Sequence, residues 1–345
     1  MADIEQQTVG AARSAGDFFL PSAKAAQAVD KTVRDRLTSS FGWLAESYPC
    51  LSIDAATLDA WQARPTDFGL YFDLASAVHH NPDSATSEEY MARAQRLADR
   101  VTAGAQGNSG LAIKTLSAEH YDAVDVDCLL RWFDLEPENS MALLPLDAAE
   151  FKDATEVLGR ALTCIERALP DFYGELTALT TEIIFAKPGP DAKLSFGGAS
   201  SFALWGAMAL NAQAHDHWWD YLPRIAHEYS HNFLFGLASD GELVTNDPSE
   251  RFRSPLRETL RPIDGIYHAC YVSARETVAM DAVLAALPTL GLGAETDTVG
   301  AYCTSIQQRS LSAYHDCKAV IDEHAKMTDL GQNVLNDTAR AIAAR

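Results

Sequence analysis

The chain is short of positive charge: 27 lysines and arginines stand against 48 aspartates and glutamates, a formal net charge of −21 with a pI near 4.7. Nucleic acid and anionic membrane both need basic surface, so neither is an expected partner. A cationic peptide would suit that charge, and so would an acidic surface kept only for solubility. Cysteine is sparse as well. Six residues (Cys50, Cys128, Cys164, Cys270, Cys303, Cys317) are scattered with no CxxC pair. That pattern argues against a disulfide scaffold and for a reducing cytoplasm. Residues 1–16 have no basic region followed by an apolar one, and nowhere does an uncharged apolar run reach the length of a membrane span. A soluble cytoplasmic protein is expected. There is no internal repeat and no low-complexity tract.

What is present is enough apolar residue, 47% of 345, for one large core or two modest ones. The first 165 or so residues read mostly as helices. In residues 22–48, Ala26, Val29, Val33, Leu37 and Phe41 recur at spacings of three and four. Thr86 and Ser87 precede two glutamates, a capping pattern, and residues 147–169 form another amphipathic stretch closed by Pro170. The segments AQGNSG and PENSMALLPLD read as loops. From residue 166 the character changes. TEIIFAK (181–187) has strand composition, and KLSFGGASSFALWGAMALN (193–211) suggests one or two more strands. The expected class is α+β, predominantly α-helical, with a small sheet beside a zincin-like HExxH helix. The division is 1–165, an N-terminal helical region, and 166–345, a metal-binding region, or one continuous domain.

The segment IAHEYSHNFLFG (225–236) carries the chemistry. His227 and His231 are four apart, about 40° around a helix, so both imidazoles can reach one ion. The surrounding Ile225, Ala226, Phe233, Leu234 and Phe235 make the helix a buried one, where a pair of polar rings needs partners that a divalent metal provides. Two candidates for a third ligand lie downstream. Glu276 would complete a zinc-peptidase set of two histidines and a glutamate. The next acid, Asp281, is five positions further on rather than the four expected of that class. His268 is the alternative, just after the Asp264-Gly265 pair. On one helix Arg275 would share its face, about 20° away in azimuth and about 10.5 Å along the axis. A small dicarboxylate could then chelate the metal at one end and meet Arg275 at the other.

Taken together, HEYSH, NDPSERFRSPLR and RPIDGIYHA in residues 227–275 resemble the HExxH-containing peptide-modification family of ribosomal peptide natural-product pathways. That resemblance covers about 50 consecutive residues closely and the approach from 181 more loosely; the N-terminal half carries no matching motif. It implies an Fe(II)- and 2-oxoglutarate-dependent oxygenase that hydroxylates a side-chain β-carbon of a precursor peptide. His227, His231 and His268 would hold the iron, and Arg275, Arg261 or Arg257 the co-substrate carboxylate. An apolar residue is expected after the arginine in relatives, where this chain has Glu276. Glu228, the general base of a peptidase, would instead support a ligand or a bound water. Imidazoles suit zinc as well as iron, so a zinc metallopeptidase using His227, His231 and Glu276 with Glu228 as base is the alternative.

The remaining histidines read as structural. Asp216, between His215 and His217, is expected to cap the coming helix, and Trp218 and Trp219 to line core or pocket. His79, His80 and His120 lie in polar surroundings. Residues 203–211 could be an edge strand open to an extended peptide, or a plain core strand.

Overall fold

A computed structural model describes residues 18–104, 110–135 and 140–345. The stretch 1–16, residues 105–109 of the AQGNSG loop and residues 137–139 of PENSMALLPLD lie outside the described residues. The protein is α+β and predominantly helical, as expected. The helices of the first half are α1 (Ala23–Ser39), α2 (Phe41–Ser47), α3 (Ala55–Ala60), α4 (Pro65–His80), α5 (Pro82–Ala85), α6 (Glu88–Thr102), α7 (Ala123–Phe133), α8 (Ala148–Ala168) and α9 (Pro170–Leu179). Four more follow: α10 (Tyr221–Ala238), α11 (Ile263–Leu290), α12 (Thr296–His324) and α13 (Asp329–Ala343). Strands β1 (Ala112–Thr115), β2 (Leu143–Leu144), β3 (Glu182–Pro188), β4 (Gly198–Ala199) and β5 (Ala207–Asn211) form one sheet. β6 (Phe252–Arg253) and β7 (Leu260–Arg261) form a separate hairpin.

Local chemistry sets several boundaries. The Ser22 hydroxyl accepts the Ala25 N–H at the start of α1, and Ala26, Val29, Val33 and Leu37 are its buried stripe. Phe41 does not extend that helix; the chain turns at Ser40 and Phe41 opens α2. Ser87 precedes α6, whose first turn holds Glu88 and Glu89. Asp147 and Glu150 cap one another's backbone at α8. Pro170 ends α8 and also starts α9, at the first helical position, where its missing N–H costs no hydrogen bond.

In the sheet the order is β1-β3-β5-β4, with β2 antiparallel to the end of β3. β1 and β5 flank β3 in parallel, and β4 returns antiparallel to β5. Residues 203–211 are therefore not an open edge. They form a turn and then β5, which is buried throughout and paired on both sides; β1 and β4 are the outer strands of that order. A positive φ of 87° at Gly206 helps the chain double back between the two strands. Alternation along β3 and β5 sorts side chains to two cores. Ile183, Phe185, Met208 and Leu210 join a large cluster that runs from Phe18 to Leu335 and so crosses position 165. Ile184, Ala186, Ala207 and Ala209 join a smaller one with Leu116, Cys128 and Leu129. The six cysteines are unpaired, five of them buried. No helix among the described residues is long and apolar enough to cross a membrane.

α11 runs antiparallel to both of its neighbours. Against α10, His268 meets His231 and Glu276 meets His227. Against α12, Cys270 meets Tyr314 and Glu276 meets Arg309. Asp264 and Gly265 lie inside the first turn of α11, after Pro262 as its cap, rather than in a preceding turn.

Arg275 does not face the histidines. His268 and Arg275 do share one face of α11, but α10 crosses that face between them. His268 touches the His231 side of α10, whereas Arg275 lies over Tyr229 and Phe233, which are about 160° away around α10. The Arg275 guanidinium is buried, ion-paired with Glu175 of α9, and donates to the Phe19 carbonyl at 2.7 Å. Rings of Phe19, Phe172, Tyr229, Phe233 and Tyr271 surround it. It is a core cross-link between the N-terminal segment, α9, α10 and α11, turned away from the histidines.

Removing one member of a buried pair strands a charge. Glu175→Ala is expected to lower unfolding free energy by about 3–5 kcal/mol. The double variant Glu175→Leu with Arg275→Met should recover most of that loss. Urea denaturation of the two measures it.

Candidate functional site

On α10 the sequence places His227 and His231 one turn apart on one face, and their ring centres are 5.0 Å apart. From α11, His268 brings a third ring, 5.7 Å from His231 and 5.0 Å from Phe235. An ion about 2.1 Å from each ring nitrogen would put neighbouring ring centres roughly 4.5–5.3 Å apart. The first pair meets that spacing. The second exceeds it by less than 1 Å. Accordingly, among the described residues no group of three or more His, Cys, Asp or Glu is already arranged to hold a metal ion. The donor chemistry nonetheless suits one. Burial, aided by the neighbouring His227 and His268 rings and by Arg224, holds His231 well below the usual histidine pKa. Burial also lowers His268, against the pull of Asp264, whose carboxylate is 4.0 Å from Nε2. Both rings are then neutral at pH 7, the form that ligates a metal.

Glu276 sits at the other side of His227. Its Oε2 is 3.3 Å from Nδ1, so Nδ1–H donates to the carboxylate and Nε2 is the ring nitrogen left to face an ion. That is how a carboxylate supports a ligating histidine. Arg309 of α12 approaches the second Glu276 oxygen at 3.9 Å. Asp281, the acid expected to matter in a peptidase, turns away to Arg345 and Gln307.

Glu228 is 3% exposed. Ser200 donates its hydroxyl to Oε2 at 3.1 Å, and Arg224 Nη1 lies 3.5 Å from Oε1. The edge strand makes this possible by approaching α10 with no side chain in the way. A Cβ on Gly198 would stand 2.7 Å from Glu228 Cγ, and one on Gly197 2.7 Å from Arg224 Cζ.

A cleft of about 370 Å³ opens beside His227, between the N-terminal half of α10, α11 and α12. Arg224, His227, Glu276, Tyr302 and Arg309 line it, with Leu256 from the β6–β7 loop at its rim. His231 and His268 stand beyond it, further along the α10–α11 seam. Arg257 is exposed on the same loop as Leu256, and Arg261 is half-buried in β7; neither lines the cleft. His215 points its Nε2 at the Gly197 carbonyl, 3.1 Å away, and burial lowers its pKa. The residue before α10 is Asp220 rather than Asp216; its carboxylate makes no capping bond to α10 and instead accepts the His217 N–H at the start of the preceding 3-10 turn. Trp218 and Trp219 are buried, as expected. His79 and His80 are exposed and pack on one another, and His120 packs on Phe151 far from the seam. Sequence reasoning missed Ser200, Arg224 and Arg309. Arg224 was legible, three residues before His227 on the same helix; Arg309 needs the placement of α12.

No protein-family model matches the chain, and no curated protein does. The site therefore stands on its own geometry.

Gly198→Ala is expected to push β4 off Glu228, destabilising the fold by about 1–3 kcal/mol. Thermal unfolding checks this, with Ala199→Gly, one residue along the same strand, as the control.

Proposed function

We propose that the chain is an Fe(II)/2-oxoglutarate-dependent oxygenase of the cytoplasm that hydroxylates a side-chain β-carbon in a ribosomally synthesised precursor peptide. The observation that carries this reading is the His231–His268 pair: the imidazole singled out by the RPIDGIYHA block stacks, from a separate helix, on the second histidine of the HExxH. His227, His231 and His268 would hold the iron. When bound, iron and the keto acid supply the oxygen activation that no side chain can provide. The overall change is balanced: one dioxygen and one 2-oxoglutarate convert a C–H to C–OH and give succinate and carbon dioxide.

The chain's own residues position and shield. Glu276 fixes the His227 ring through Nδ1. Glu228, pinned by Ser200 and Arg224, is a buried acceptor beside the ligand helix, suited to orienting a ligand or a bound water. Leu256 adds an apolar side chain to the cleft lining. The net charge of −21 suits a cationic peptide.

A second reading is favoured by one contact. Glu276 lies close enough to His227 that a rotation of either side chain could bring both onto one zinc ion, giving a peptidase with Glu228 as base.

Aerobic incubation with iron, 2-oxoglutarate and a candidate peptide is expected to release succinate and add one oxygen atom to the peptide mass. His227→Ala should abolish both. Zinc-dependent peptide cleavage indifferent to 2-oxoglutarate would replace this reading with the peptidase.

A further inference from the structure

Beyond His215 the cleft has a neighbour. A second cavity, of about 210 Å³, lies between α8 and the turn that links β5 to α10, and His215 lines both spaces. Its wall from α8 is one stripe of that helix, Glu150, Asp153, Ala154 and Val157, at spacings of three and four. Leu146, Ala212 and the Tyr221 ring add apolar surface.

The polar groups fix the sign of charge this cavity can take. Glu150 and Asp153 line it, and among the described residues no lysine or arginine does. Glu150 Oε2 accepts from Lys187 Nζ and from the Asp147 N–H, 2.5 and 2.8 Å away, while Oε1 makes no bond among the described residues. Asp153 is exposed, and its carboxylate has no partner among them either. Tyr221 is 1% exposed and packs on Phe185 and His215, yet its hydroxyl has no hydrogen-bond partner among the described residues. Leaving a buried hydroxyl unpaired costs free energy, and the cavity that Tyr221 lines is where a partner can enter.

Acceptors set among apolar walls suit an ammonium on an alkyl stem. An ammonium has three donors and no acceptor, and a lysine stem lies readily along apolar surface. The acidic surface of the whole chain draws the same charge. No group of three His, Cys, Asp or Glu among the described residues makes this a place for a metal ion instead.

We infer that this cavity takes the side-chain ammonium of a lysine in the peptide that occupies the adjoining cleft. That the bearer is a peptide rests on the proposed function; the ammonium site itself does not. A free alkylamine has the same chemistry, and the test separates the two sources.

Calorimetry on the full chain compares acetyl-Ala-Lys-Ala amide with its norleucine counterpart, which keeps the stem without the charge, and with n-butylamine. The double variant Glu150→Gln/Asp153→Asn removes both charges, and glutamine can still cap α8. Tyr221→Phe removes only an unpartnered hydroxyl and should not lower the melting temperature. In the native chain the lysine peptide should bind at least about tenfold tighter than the norleucine one. That margin should vanish in the double variant and shrink about three- to tenfold in Tyr221→Phe. Equal binding of the two peptides by the native chain, or a margin that survives both variants, overturns the inference. Carboxylate-dependent binding of n-butylamine with no lysine margin would overturn it in favour of a free amine. The succinate assay is independent of this margin: succinate released with no margin strikes the subsite alone, and a variant-sensitive margin without succinate strikes the oxygenase alone.

Discussion

The antiparallel seam between α10 and α11 fixes everything else about the site. α10 alone can present His227 and His231, but a two-ligand edge holds a metal weakly and selects none. Packing α11 against it at one crossing sets the His231–His268 stack and the His227–Glu276 contact together. Shifting α11 by one turn would break both. On the far side of α10 the buried Arg275–Glu175 pair, ringed by five aromatic side chains, locks the same two helices to α9 and to Phe19. A buried ion pair is not needed for net stability; here its position ties four segments to one register. The registry role is the one such pairs serve best.

Around that seam the polar groups divide their work by burial. Glu228, Glu276 and Asp220 each face a donor already in place, whereas Arg224, packed against Gly197, and the exposed Arg309 line the cleft. Arg224 and Arg309 thus bring cationic donors into the cleft beside His227, alongside Asp220 and Glu276. The bare glycines of the 197–198 edge strand let that strand lie directly on Arg224 and Glu228. The sheet, small as it is, acts as the floor that sets their rotamers.

Much of this was legible from the residues. The three-and-four spacing of α1, the strand composition of β3 and the apolar neighbours that bury α10 were all readable, and HExxH named two of the site residues. His268 emerged from a spacing argument and a motif block, and the structure brings it to His231. The same spacing argument failed for Arg275. Azimuth on one helix says which residues share a face, but not where a second helix crosses it, and no motif marks Glu175, its partner on α9. Arg309 was out of reach because it lies on a helix whose docking no local pattern records. For the 203–211 segment, composition left edge and core strand both open for a related reason. Strand composition marks a strand, while being at an edge depends on the return of β4, two residues long and mostly glycine and alanine.

The claim at the centre is that the third metal ligand is an imidazole, with Glu276 behind His227 rather than on the ion. Iron content and affinity of anaerobically prepared His268→Ala and Glu276→Ala decide it. The account expects His268→Ala to lose the iron, and Glu276→Ala to keep it with affinity reduced about ten- to a hundredfold, as for loss of a group supporting a ligand. Retention of metal by His268→Ala together with its loss from Glu276→Ala would contradict the account.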